Sequence, residues 1–139
     1  MTGFIPNFLK TDYRSYQMLS HIATVFSIHN LASHGLPKDH QFITEMERDD
    51  GQDSVPDFFG PRMEYVNAMR RGVMYADVVN TVSKKYAEEI KTEEFGEGLH
   101  HLFHERRERV FGVLNGIDYE TNNPANDPLL QKPFTVNTI

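Results

Sequence analysis

The sequence contains no cysteine. That excludes disulfide frameworks and thiolate-held metals, and it fits a cytoplasmic protein. Long apolar runs are also missing. Nothing approaches the roughly 20 residues that a membrane-spanning helix needs, and the N-terminus lacks the charged-then-apolar order of a secretion signal. Positive charge is scarce: 14 Lys and Arg stand against 20 Asp and Glu, a net charge of −6. The densest basic stretch, Arg106 to Arg109, is interrupted by Glu108. Nothing here forms a nucleic-acid footprint. A phosphate-cradling glycine loop is absent too. Gly96 and Gly98 make a lone G-x-G with no strand ahead of it, so a helix-start turn is the better reading.

What remains is an ordinary globular composition, 39% hydrophobic and 24% charged over 139 residues. That length is one domain or less. Ten Phe and six Tyr supply much of the core area.

The chain alternates between helical and strand patterns. Apolar residues at 4, 5, 8 and 9 predict a helix over Thr2 to Lys10, its proline in the tolerated first turn. Ile22 to Ile28 is short, apolar and β-branched, and reads as a buried strand. Residues 37 to 61 hold three prolines, two glycines and a run of acids from Glu45 to Asp57. His40 to Arg48 could form a short helix there. Asp49 to Pro56 reads as a mobile loop, and the acidic stretch over about 38–60 as a whole reads as a mobile, solvated loop. Met63, Val66, Met69 and Val73 predict one continuous helix from Arg62 to Ala76. Asp77 to Val82 reads as a second strand. Ser83 is placed to cap a helix over Lys84 to Lys91, with Tyr86 and Ile90 on one face. Leu99, Leu102, Phe103, Arg106 and Val110 predict a helix from Glu97 to Val110. Phe111 to Leu114 is a third short strand, followed by Asn115-Gly116. Beyond Asp118 the chain is rich in Pro and Asn, like a linker. Strands alternating with helices predict an α/β fold with a short parallel sheet of about three strands.

Two places carry candidate chemistry. His29 and Asn30 follow the first strand, and open α/β sheets bind ligands beyond such strand ends. The same pair can also simply cap a turn. Asn115-Gly116 ends the third strand, where the residues alone favour a plain turn. His100, His101 and His104 share one helical segment. Without H-E-x-x-H or a second ligand set they read as a solvated helix face, so no metal is expected.

Three tracts in order carry a family resemblance. The first is Ser27-Ile28-His29-Asn30-Leu31-Ala32 with Gly35. The second runs from Val73 to Ser83 (V-M-Y-A-D-V-V-N-T-V-S), through Tyr86-Ala87-Glu88-Glu89-Ile90, to Thr92-Glu93-Glu94-Phe95-Gly96-Glu97-Gly98-Leu99. The third is Gly112-Val113-Leu114-Asn115-Gly116-Ile117-Asp118-Tyr119-Glu120, then Asn123-Pro124-Ala125-Asn126-Asp127-Pro128. Together they resemble the bacterial-type glycogen and starch synthases over nearly the whole chain.

The resemblance implies a GT-B fold, two Rossmann-like domains facing across a cleft. It implies retaining transfer of glucose from ADP-glucose, or UDP-glucose, to the non-reducing end of an α-1,4-glucan, with no cofactor or metal. Residues 1–118 would be the C-terminal half of the N-terminal, acceptor-side domain, and residues 119–139 an interdomain linker. His29 would reach the donor glucose, with Asn30 supporting, and Asn115 and Gly116 would contact the sugar. The family's K-x-G-G loop has no counterpart here, and its D-W-H tract would lie just upstream of Thr2. Its second domain would lie beyond Ile139. Ser33-His34 stands for the family's Tyr-Gln, Asn122 for an aromatic, and Glu64 to Arg70 lacks one family lysine. These gaps imply a piece of a synthase, inactive alone. The rival readings are a glucan-binding or subunit-interaction remnant, or an unrelated nucleotide binder, which the missing glycine loop opposes. No nucleic-acid or membrane partner is expected. Strands without neighbours imply self-association through open sheet edges.

Overall fold

The computed structural model describes residues 2–33 and 49–138. Its centre is a three-stranded parallel sheet in the order β1-β2-β3, formed by Val25–Ile28, Val78–Thr81 and Val110–Gly112. Helices fill the intervals: α1 (Phe4–Lys10), α2 (Ala68–Tyr75), α3 (Lys84–Glu89) and α4 (His100–Glu105). The α/β class and the short parallel sheet are as expected from sequence.

Strand alternation decides where the core lies, because side chains two apart share a face. Val25, Val78 and Val79 to Val110 set the register: Ile28 pairs with Thr81, Val79 with Val110, and Asn80 with Phe111. Ile28, Val79 and Val110 therefore point to one face. They join Val73 and Ala76 near α2, Ala87 and Ile90 near α3, and Leu99, Leu102 and Phe103 near α4 in one buried cluster. The opposite face holds Val25, 66% exposed, and Phe111, 51% exposed. All the described helices that reach the sheet pack on one side of it.

That asymmetry corrects the first strand. Ile22 to Ile28 reads as a fully buried strand, but β1 starts at Val25 and only Ile28 is buried. An edge strand has a neighbour on one side only, and among the described residues one of its faces has no cover as well.

Two helices are shorter than their periodicity. The 62–76 stripe is split into a 3-10 turn, Pro61–Tyr65, and α2. Val66 is extended, and the Asn67 side chain accepts the Arg70 N–H at 2.9 Å, so a new helix is capped inside the stripe. The 97–110 stripe likewise yields only α4. Glu97 (φ 46°) and Gly98 (φ 75°) are left-handed, which forbids a helix start at 97. At the far end Val110 pairs with Val79 and begins β3, one residue ahead of the expected strand. Ser83 does cap α3, accepting the Tyr86 N–H at 2.9 Å.

Arg71 replaces the solvated picture of the acidic segment at Asp49. Its guanidinium is 1% exposed and grips Asp49 with two bonds, Nε at 2.8 Å and Nη2 at 2.7 Å. Nη1 donates to Asn7 Oδ1 at 2.7 Å and to the Asp53 carbonyl at 2.8 Å. One buried side chain thus joins α1, α2 and residues 49–53. Phe58 adds an edge-on contact to Phe4, 5.5 Å between ring centres. The helix expected over His40 to Arg48 lies outside the described residues.

Candidate functional site at the carboxyl edge of the sheet

Because all three strands are parallel, their carboxyl ends emerge along one edge. β1 delivers Ile28, which is buried, and then His29 and Asn30, which are exposed. Asn30 Oδ1 accepts the Ala32 N–H at 3.0 Å. Leu31 returns into the core, and its N–H donates to the Tyr86 hydroxyl at 3.0 Å. The turn-capping reading of Asn30 therefore holds for its side-chain oxygen. It leaves the His29 imidazole facing out of the fold.

β3 delivers the other flank. Val113 N–H still donates to the Thr81 carbonyl at 2.8 Å, extending the ladder one residue past the strand. Leu114, Asn115 and Gly116 are exposed. The plain-turn reading of Asn115-Gly116 fails: residues 113–118 run on without a turn, and Gly116 is not left-handed. Among the described residues a Cβ on Gly116 would meet nothing within 4 Å, so no contact there explains the glycine.

The sheet thus places His29 and Asn30, which directly follow β1, on one side of β2, and the end of β3 that leads on to Asn115 and Gly116 on the other. With one strand between them, β1 and β3 are separated by about 10 Å, two strand spacings. An edge of this kind presents polar side chains outward from a rigid base, which suits recognition of a hydroxyl-rich ligand.

Beyond Asn115, Asp118 fastens the exit from the sheet. Its carboxylate accepts the Thr121 hydroxyl at 2.7 Å and the Glu120 and Thr121 N–H groups at 2.9 and 3.3 Å. The Thr121 hydroxyl does most to hold this carboxyl below the usual range, with the two N–H bonds adding to it.

At the opposite, amino edge of the sheet most polar groups bind one another. Asp77 accepts the Lys10 ammonium at 2.8 Å, the Thr24 N–H at 2.8 Å and the Thr24 hydroxyl at 3.1 Å. The Lys10 bond does most to hold the Asp77 carboxyl below its usual range; burial opposes it, and the Thr24 bonds reinforce it. Arg106 occupies a position of the apolar α4 stripe, yet its guanidinium donates to the carbonyls of Met74 and Ala76. Those are orphan acceptors at the end of α2. Burial draws the Arg106 pKa down, and the nearby Arg109 adds to this.

No group of three or more His, Asp or Glu close enough to hold a metal occurs among the described residues. The His100 and His101 rings lie 4.1 Å apart, while His101 and His104 are exposed. No helix among the described residues is long and apolar enough to cross a membrane.

Tyr86 and Arg71 are the residues that reading along the chain missed. Tyr86 reads only as a core partner of Ile90. Its hydroxyl bond to Leu31 joins residues 55 apart, which no local pattern reports.

Comparison with known proteins follows the same lines. The family model described as the starch synthase catalytic domain matches residues 1–105. The chain is 41% identical over 140 residues to a glycogen synthase of Thermotoga maritima, covering 99% of this chain and 28% of that one. A glycogen synthase of Desulforudis audaxviator is 38% identical over 135 residues, covering 96% and 26%. Among solved structures, the catalytic domain of starch synthase IV from Arabidopsis thaliana, bound to ADP and acarbose, is similar with a TM-score of 0.64. It is 26% identical and covers 99% of this chain and 28% of that one. The chain spans about a quarter of the length of these relatives.

Proposed function

Because this chain belongs to the starch synthase catalytic-domain family, a family of glycosyltransferases with the GT-B fold, we propose that it forms the sugar-side wall of a retaining glucosyltransferase. Residues 1–118 serve as the latter half of an acceptor-side domain, and residues 119–139 as the start of a connection to a second domain. The donor is ADP-glucose or UDP-glucose, the acceptor an α-1,4-glucan, and no cofactor takes part. The Arabidopsis relative's ADP and acarbose, a nucleotide and a sugar-like chain, support this class of ligands. With no cysteine to oxidise, the chain suits the cytoplasm.

One observation supports the reading: β1 and β3 flank β2 with their carboxyl ends along one edge, β1 leading directly into His29-Asn30 and β3 running on through Val113 toward Asn115-Gly116. Retaining transfer passes through an oxocarbenium-like state, in which charge grows at the anomeric carbon. Groups fixed before the reaction stabilise that charge without reorganising. His29 is assigned to the donor glucose and Asn115 to a sugar hydroxyl, with the Asn30 and Gly116 backbones beside them.

The purified 139-residue chain is expected to transfer no glucose from ADP-glucose to glycogen, because positioning the donor takes groups on both sides of it. Placed within a longer synthase in exchange for its matched stretch, it is expected to support transfer. There, His29→Ala should lower kcat by about 10²–10³, the usual cost of one preorganised polar partner. Full activity of that variant would reject the role of His29. Glycogen co-sedimentation by the isolated chain, with no turnover in the longer enzyme, would favour a glucan-binding role instead.

A further inference from the structure

The first turn of α3 touches both flanks of the candidate site. Ser83 begins it: its hydroxyl accepts the Tyr86 N–H at 2.9 Å and fixes the Tyr86 backbone. The Tyr86 ring packs against the core, and its hydroxyl accepts the Leu31 N–H at 3.0 Å. Leu31 is 1% exposed, so this N–H has no ready exchange with water. His29 is therefore bracketed. Before it, Ile28 is buried and paired with Thr81 in the sheet; after it, Asn30 closes on Ala32 and Leu31 is held by Tyr86.

The other flank meets the same turn. A Cβ on Gly112 would lie 2.1 Å from the Ser83 carbonyl oxygen and 2.4 Å from the Lys84 Cα. Only glycine lets β3 come this close to the start of α3. The strand that leads to Asn115 and the turn that carries His29 are thus indexed against one structural element.

We propose that Tyr86 is a positioning residue for His29, and that the Ser83–Tyr86 turn sets the spacing between the His29 and Asn115 flanks. The proposal rests on the sugar-side reading of this edge. It adds a residue that contacts no sugar and acts by holding the backbone that does. Tyr86→Phe keeps the ring and removes only the bond to Leu31, which makes it the informative change.

The test is NMR on the isotope-labelled 139-residue chain, with no turnover required. In Tyr86→Phe the Leu31 amide should exchange with solvent about tenfold faster or more. The Asn30, Leu31 and Ala32 amides and the His29 ring signals should shift, while the Arg71 side chain and Asn67 amide stay in place. Ser83→Ala should move the same 29–32 signals by a smaller amount, through the loosened Tyr86. Unchanged Leu31 exchange and unchanged His29 ring signals in Tyr86→Phe would overturn the proposal. So would Ser83→Ala shifts confined to α3. If His29→Ala left transfer intact in the longer enzyme, the sugar-side reading would fall while the Tyr86 signature survived, so the two failures are separable.

Discussion

The two edges of the sheet are built on opposite plans. At the amino edge, most polar groups bind one another: Asp77 holds Lys10 and Thr24, and Arg106 covers the carbonyls of Met74 and Ala76, its Nε alone left without a partner among the described residues. At the carboxyl edge, His29 and Asn115 face outward, and the polar contacts nearby serve the backbone under them. If the carboxyl edge is the sugar-side site proposed above, stability and recognition lie in different places. Substitutions should therefore separate cleanly by edge.

The largest effect is expected away from both edges, where this mutual binding of polar groups is most complete. Arg71→Ala strands the buried Asp49 carboxylate without its partner, and should cost about 3–5 kcal/mol in urea or thermal denaturation. A loss below about 1 kcal/mol would mean that residues 49–53 are not tied to α2 in solution. Next comes Gly112→Ala, where a Cβ would press on the Ser83 carbonyl. Overpacking of this kind should cost about 1–3 kcal/mol, read as a lower midpoint in the same denaturation.

At the amino edge, Asp77→Asn should cost about 1 kcal/mol. The pair with Lys10 is one-third exposed, so solvent screens much of it. Its pH dependence has a fixed sign. The folded Asp77 pKa lies below the ordinary value near 3.9, so the group's contribution is present above about pH 4 and fades as pH falls through the folded value. Asp77→Asn should flatten that acid limb of the stability curve; an unchanged limb would show that other carboxylates set it. At the carboxyl edge, His29→Ala and Gly116→Ala should change stability by no more than about 0.5 kcal/mol, since both sites are exposed and a Cβ at Gly116 meets nothing. A loss above 1 kcal/mol at either would blur the contrast between the edges.

The bare face of the sheet adds a separate expectation. Val25 and Phe111 lie on it, and parallel sheets are normally covered on both sides. We expect the isolated chain to self-associate, seen as a sedimentation mass that rises with concentration. A strictly monomeric profile at high concentration would remove this expectation.

Where the sequence was legible, the cause was local. Ser83 announces α3 because a capping hydroxyl acts three residues away, and β2 announces itself through Val78 and Val79. The two overlong helices show the limit of periodicity. Counting apolar positions does not register that Asn67 caps a new helix, or that Gly98 turns left-handed. Nor could it show that Arg106 fills an apolar slot by reaching α2 carbonyls. The end of β1 beneath His29 could be placed from its flanking pattern, whereas β3, expected to run to Leu114, stops at Gly112, three residues before Asn115. The Tyr86 and Arg71 bonds could not be placed, since each joins residues far apart in the chain.

The most direct measurement of the central claim is glucose transfer from ADP-glucose to glycogen by a synthase carrying this chain in place of its own matched stretch. There, His29→Ala is expected to lower kcat by about 10²–10³ while the unfolding midpoint stays where it was. Transfer within twofold of the unsubstituted enzyme would contradict it.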